Sequence, residues 1–178
     1  MSKTNNYIFT GLKIVSWVIF IGLCVQAGSY ITNFTFSIYK PELIQNLYPK
    51  LDLIDVYNQN KEAFYSLFTF IMVVSTLKAI LFYEVVKLVS SINLLKPFNQ
   101  FVSRQISTIS FYALIIGVMS FIGGHTTNNM QFRGFNTHKL TDFWSGSQAF
   151  ILMSAVIYII AIIFKKGVEY QDELDQTV

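Results

Sequence analysis

Lys78 stands inside a long apolar run, and it is the residue of this chain whose placement most invites a chemical role. A lysine at the centre of a membrane-spanning helix costs about 2.5–3.5 kcal/mol on insertion scales, so such a cation is read first as lining an ion path or pairing with another charge. The structural reading is that its aliphatic stem carries the ammonium to the polar end of the same helix near Glu84, about 7.5 Å away at 1.5 Å per residue. Both readings stand at this point. Gln26 is another long polar side chain within an apolar stretch, and it can hydrogen-bond across packed helices. Glu84 and Lys87, three residues apart, can pair on one helix face near the headgroups. Lys78 and Glu84 are about 120° apart around a helix, which disfavours a direct pair.

Other chemistries find little to work with. His138 and Asp142 have a His-x3-Asp spacing, but His125 and His138 are expected in one outer loop with no third ligand at hand, so no metal site follows. Haem held between helices is disfavoured too, since neither histidine falls in an apolar stretch. The single Cys24 cannot form an internal disulfide or a CxxC pair, and Leu23 before it is too large for a lipidation site. It reads as an inert buried thiol. There is no Gly-rich phosphate loop, no HExxH and no nucleophile elbow. The residues point to a non-enzymatic protein without cofactors.

The elements that carry these residues are four apolar stretches of bilayer-crossing length, roughly 14–31, 64–86, 106–124 and 144–164. Hydrophobic residues make up 53% of the chain and charged residues only 13%, about half the usual charged share of a soluble domain. The fold class is therefore an all-α integral membrane protein: a single four-helix transmembrane bundle whose first partner is the lipid bilayer. A net charge of +3 is too small to argue for direct nucleic-acid binding.

The lysines set the orientation. Seven basic residues (Lys3, Lys13, Lys87, Lys96, Arg104, Lys165, Lys166) fall on one side and five (Lys40, Lys50, Lys61, Arg133, Lys139) on the other, in longer segments. By the positive-inside rule both termini are cytoplasmic. A cleavable signal peptide ending at Val25-Gln26-Ala27 is the competing reading of the first stretch, but the apolar run continues to Ile31, which favours a retained anchor.

Two outer segments, 32–62 and 125–143, join the helical hairpins. In the first, Pro41 and Pro49 bracket a short helical pattern over Glu42–Tyr48, and the apolar residues around it predict a structured cap on the bilayer or bundle. In the cytoplasmic connection Pro97 breaks the chain and Asn99 can N-cap the next helix. Ser110, Ala113, Gly117, Ser120 and Gly124 recur at alternating spacings of 3 and 4, forming one stripe of small residues. The stripe predicts a close helix contact, either with Ser147, Ser154 and Ala161 of the fourth stretch or with a second copy of the chain. The tail 165–178 passes from Lys165-Lys166 to Glu169, Asp172, Glu173 and Asp175, which reads either as a solvated helix end or as a docking segment for a cytosolic partner.

Three stretches and the tail resemble the DUF2975 family of small bacterial membrane proteins. They are Ser75-Thr76-Leu77-Lys78-Ala79-Ile80-Leu81-Phe82-Tyr83, Ile92-Asn93-Leu94-Leu95-Lys96-Pro97-Phe98 and Ile106-Ser107-Thr108-Ile109-Ser110, then the ending from Phe164 to Val178. Gln176 departs from the apolar residue expected near that ending. The resemblance implies a four-helix fold in the bacterial inner membrane and no known activity. Members of that family are often encoded beside small helix-turn-helix regulators, so it also implies a regulatory or accessory role with such a regulator as partner. The alternative expectation, from the residues alone, is a small oligomeric channel or transporter using Lys78 and Gln26.

Overall fold

The computed structural model describes residues 3–39, 53–92 and 98–176. Six helices account for nearly all of them: α1 (Lys3–Tyr39), α2 (Ile54–Gln59), α3 (Lys61–Ser91), α4 (Gln100–Phe132), α5 (His138–Trp144) and α6 (Ser147–Gln176). No strand occurs among the described residues. Four helical stretches are long and apolar enough to cross a membrane: Tyr7–Tyr39, Lys61–Ser91, Gln100–Phe132 and Leu140–Glu173. The short pattern expected over Glu42–Tyr48 and the break at Pro97 lie outside the described residues.

Local chemistry accounts for the boundaries. Asn60 caps α3 by accepting the Ala63 amide at 3.1 Å, and Asn99 caps α4 by accepting the Val102 amide at 2.9 Å. Each satisfies one of the orphan amides that open a helix. Helix α4 ends where Gly134 takes a φ of 90°, which a side chain would strain. There the amides of Gly134 and Phe135 return to the carbonyls of Gln131 and Met130, closing a Schellman turn. Within the helices, hydroxyls of Ser16, Thr69, Thr108 and Thr126 donate to the carbonyl four residues back, which pairs these four donors on otherwise apolar helices.

The long helices pack in chain order. Extensive contacts join α1 to α3, α3 to α4 and α4 to α6, while α1 and α6 share none of comparable extent. The four long helices therefore stand in a row. Burial follows from that order: 44% of the most apolar window is buried in α3 and in α4, against 6% in α1 and 11% in the last stretch. The two central helices are flanked on both sides, whereas the two outer ones rest on a single neighbour. The main core lies at the end of the row where α2 and α5 sit, built on Tyr30, Val56, Phe64, Leu67, Ile71, Ile116, Leu140 and Trp144. A smaller core of Val102, Ile106 and Ala161 ties α4 to α6 at the other end.

Three helices run past the apolar stretches that the sequence marks. Helix α1 runs well beyond 14–31 on both sides. Helix α4 continues past Gly124 to Phe132, so the segment 125–143 begins as helix and His125 is helical. The tail after Phe164 continues α6 as far as Gln176. In each case the apolar pattern marks where a helix is hydrophobic. It does not mark where hydrogen bonding stops.

Candidate functional site

Lys78 sits near the middle of α3 and is half-buried. Its Nζ lies 4.9 Å from the centroid of the Phe143 ring on α5 and 5.7 Å from that of Phe150 on α6. The negative faces of two rings therefore stand where a counter-ion would. Among the described residues no carboxylate forms an ion pair with it. The Cα–Cβ bond of a helical residue tilts toward the helix N-terminus, which aims Lys78 toward the α5 end of the row. That is opposite to the direction expected from snorkelling toward Glu84. The sequence could not show this, because the destination is a short helix inside a polar segment.

Gln26 converges on the same aromatic group from α1. Its Nε2 donates to the Tyr30 hydroxyl oxygen at 3.1 Å, and the Tyr30 ring meets the Phe143 ring edge-on with centroids 6.1 Å apart. Phe143 thus lies between the two polar residues singled out in the apolar stretches. One residue of α5 links Lys78 on α3 to the Gln26–Tyr30 pair on α1. Chemically the arrangement holds a cation by ring faces and joins it, through Phe143 and Tyr30, to an oriented amide.

At the other end of α3, Lys87 Nζ pairs with Glu84 Oε2 at 2.9 Å. Glu84 also accepts from Gln105 of α4, at its backbone oxygen (3.3 Å) and at Oε2 through a short hydrogen bond. Gln105 is buried, and the sequence reading missed it. A glutamine near the polar end of a helix looks like a headgroup-facing residue. Only the approach of α3 and α4 turns it inward.

The small residues of α4 divide between two partners. Ser110 Oγ donates to the Ser154 carbonyl of α6 at 3.0 Å. A Cβ on Gly117 would come within 2.6 Å of Ile151 Cγ1 and 2.9 Å of its backbone nitrogen, so only glycine permits this approach. Ala113 and Ser120 are buried between them. Gly123 and Gly124 face Trp144 instead, whose ring would sit 2.7 Å from a Cβ on Gly123. The Trp144 Nε1 donates to Thr127 Oγ1 at 2.9 Å, and that hydroxyl in turn donates to the Gly123 carbonyl.

On the tail, Lys166 pairs with Glu169 at 2.7 Å. Asp172 and Glu173 are exposed, while the Asp175 side chain lies outside the described residues. Gly167 admits the Phe98 ring, which would be 2.5 Å from a Cβ there, and Phe98 lies against Phe164. Among the described residues no three of His, Cys, Asp and Glu gather closely enough to hold a metal ion. His138 opens α5 and contacts Gln131. Cys24, expected to be buried, is exposed on α1, because α1 has a neighbour on only one side.

The sequence from residue 45 to 178, most of the chain, matches a family model described as a protein of unknown function. No curated protein and no solved structure matches the chain. The matched region includes Lys78, the Glu84–Gln105 contact, the α4–α6 seam and the acidic tail, and the chain belongs to the DUF2975 family.

Proposed function

We propose that this chain is a non-enzymatic multi-pass protein of the bacterial inner membrane, with both termini in the cytoplasm, that holds a cytosolic regulator against its inner face. The observation that carries this reading is the stalk formed by α6. The helix leaves its apolar stretch at Phe164, passes Lys165 and Lys166, and continues unbroken to Gln176. Glu169, Asp172 and Glu173 recur at i, i+3 and i+4, which puts three acids on one face of a rigid extension. Such a face suits a basic partner, and DNA-binding regulators are basic. The lysine asymmetry supports the cytoplasmic placement of this end. A helix-turn-helix protein is the partner that the family resemblance favours.

The test is purification of the full-length tagged protein from native membranes in mild detergent, alongside an Asp172→Lys, Glu173→Lys variant. A helix-turn-helix protein is expected in near-equal amount with the unaltered chain and lost with the variant. Retention of every cytosolic contact by the variant removes the tail as the docking element. A C-terminal reporter active only outside the cytoplasm would overturn the orientation.

A further inference from the structure

Two depressions on the α4–α6 face form one groove with an apolar body and a basic end. The first, about 370 Å³, is walled by Phe111, Leu114, Ile151 and Ala155 together with Ser110 and Ser154. Both serine hydroxyls are occupied, Ser110 by the Ser154 carbonyl and Ser154 by the Ile151 carbonyl, so they add no free donor to the wall. The second, about 330 Å³, holds Lys165, Lys166 and Glu169. Ser107 and Tyr158 line both, so the two depressions adjoin. From Ile151 to Lys165 the groove follows about 21 Å of helix, more than the ~15 Å half-thickness of a bilayer core.

We propose that this groove binds one anionic phospholipid, an acyl chain lying between α4 and α6 and the phosphate meeting Lys165 and Lys166. The inference rests on the membrane placement proposed above. Two complementarities select the occupant. The trough offers apolar walls over the length of a chain, and its mouth presents the two cations Lys165 and Lys166, with Glu169 in the lining and Glu173 acting on Lys166 from one turn further along α6. A zwitterionic lipid would bring a cation of its own to that mouth, and a free phosphate would leave the apolar trough unused. The mouth also lies at the end of α6 assigned to the cytoplasmic leaflet, where anionic lipids attract basic residues. Glu169 competes with the phosphate for Lys166, which it holds at 2.7 Å.

The experiment reconstitutes the full chain in nanodiscs of mixed phosphatidylglycerol and phosphatidylcholine. Lipids retained after transfer to neutral detergent are then counted by native mass spectrometry. One phosphatidylglycerol is expected to remain in preference to phosphatidylcholine. Lys165→Gln with Lys166→Gln should lower that preference on the order of five- to thirtyfold, the worth of one or two basic residues at an anionic surface. Ala155→Phe, which fills the trough, should lower retention of both lipids, and Glu169→Gln should raise retention of phosphatidylglycerol. Excess inorganic phosphate should not displace the lipid. Equal retention of the two lipids, full retention by the lysine variant, loss with Glu169→Gln, or displacement by phosphate each overturns the assignment. Helicity by circular dichroism is recorded for every variant, and only those matching the unaltered chain are scored. Alkaline carbonate extraction separates the two failures: a chain released from membranes loses the membrane reading itself, whereas a retained chain without lipid preference loses only this groove.

Discussion

The ammonium of Lys78 lies 4.9 Å from the centroid of the Phe143 ring, so a cation on α3 is held by an aromatic side chain of α5. The two helices are joined in sequence through α4, and this contact brings them together directly. It also explains how a charge within an apolar helix is tolerated without a carboxylate. A desolvated cation over an aromatic face gains about 2 kcal/mol or more, close to the 2.5–3.5 kcal/mol that a lysine would cost at the centre of a helix crossing a membrane.

Removing the charge therefore tests the cage. Lys78→Met keeps the length and apolar stem of the side chain, and is expected to leave stability unchanged or raise it by about 1 kcal/mol. Phe143→Ala is expected to lower stability by about 2–3 kcal/mol, below the 3–5 kcal/mol of a fully buried ring. In the double variant the Phe143→Ala loss should shrink by roughly the cation–π share. Reversible unfolding in detergent measures all three, and additive losses would mean that the cation and the ring do not interact.

The α4–α6 seam should respond to volume at one position and ignore it at another. Gly117→Val places methyls where Ile151 and its backbone already stand, so a loss of about 1–3 kcal/mol is expected. Gly22→Ala on α1 meets nothing within 4 Å and should be neutral or gain up to about 1 kcal/mol from helix propensity. Thermal unfolding of the two variants side by side checks the contrast.

Gln105 is expected to act as the fastener between α3 and α4. Gln105→Leu removes both hydrogen bonds to Glu84 and leaves a half-buried carboxylate with Lys87 alone, for a loss of about 1–3 kcal/mol. Gln105→Glu sets two carboxylates against each other and should cost more. If Glu84→Gln rescues the Gln105→Glu chain, the contact is the cause.

Among the described residues, the buried hydroxyl of Ser75 has no hydrogen-bond partner. Ser75→Ala deletes that unsatisfied group with little change in volume and is expected to stabilise by about 1 kcal/mol. A fall in the unfolding midpoint would show that the hydroxyl has a use that the static structure does not display.

Much of the helical content is readable in the sequence because length and hydropathy are local properties. Asn99 as a cap and the 3-and-4 spacing on α4 are local signals too. What they could not tell is which surfaces meet. The stripe on α4 leaves its partner open, and only the coordinates divide it between Ile151 and Ser154 of α6 and the ring of Trp144. Gln105 and Phe143 gave no signal, since one looks like an interfacial polar residue and the other like an aromatic anchor. The direction of Lys78 depended on both α5 and the tilt of its own helix. The order of the row was hidden for the same reason: α1 has no distinctly apolar face, so none of its sides announces a neighbour.

The row also has a temporal meaning. Each long helix rests chiefly on the one made immediately before it, α3 on α1, α4 on α3 and α6 on α4. A chain synthesised from its N-terminus would present every new helix to a partner already in place, with only the connection just made to close. Assembly then proceeds as a zipper, without a search among distant segments. A nascent chain halted after α3 would already hold the α1–α3 contact, whereas an internal deletion of α4 would strand α6 with no principal neighbour.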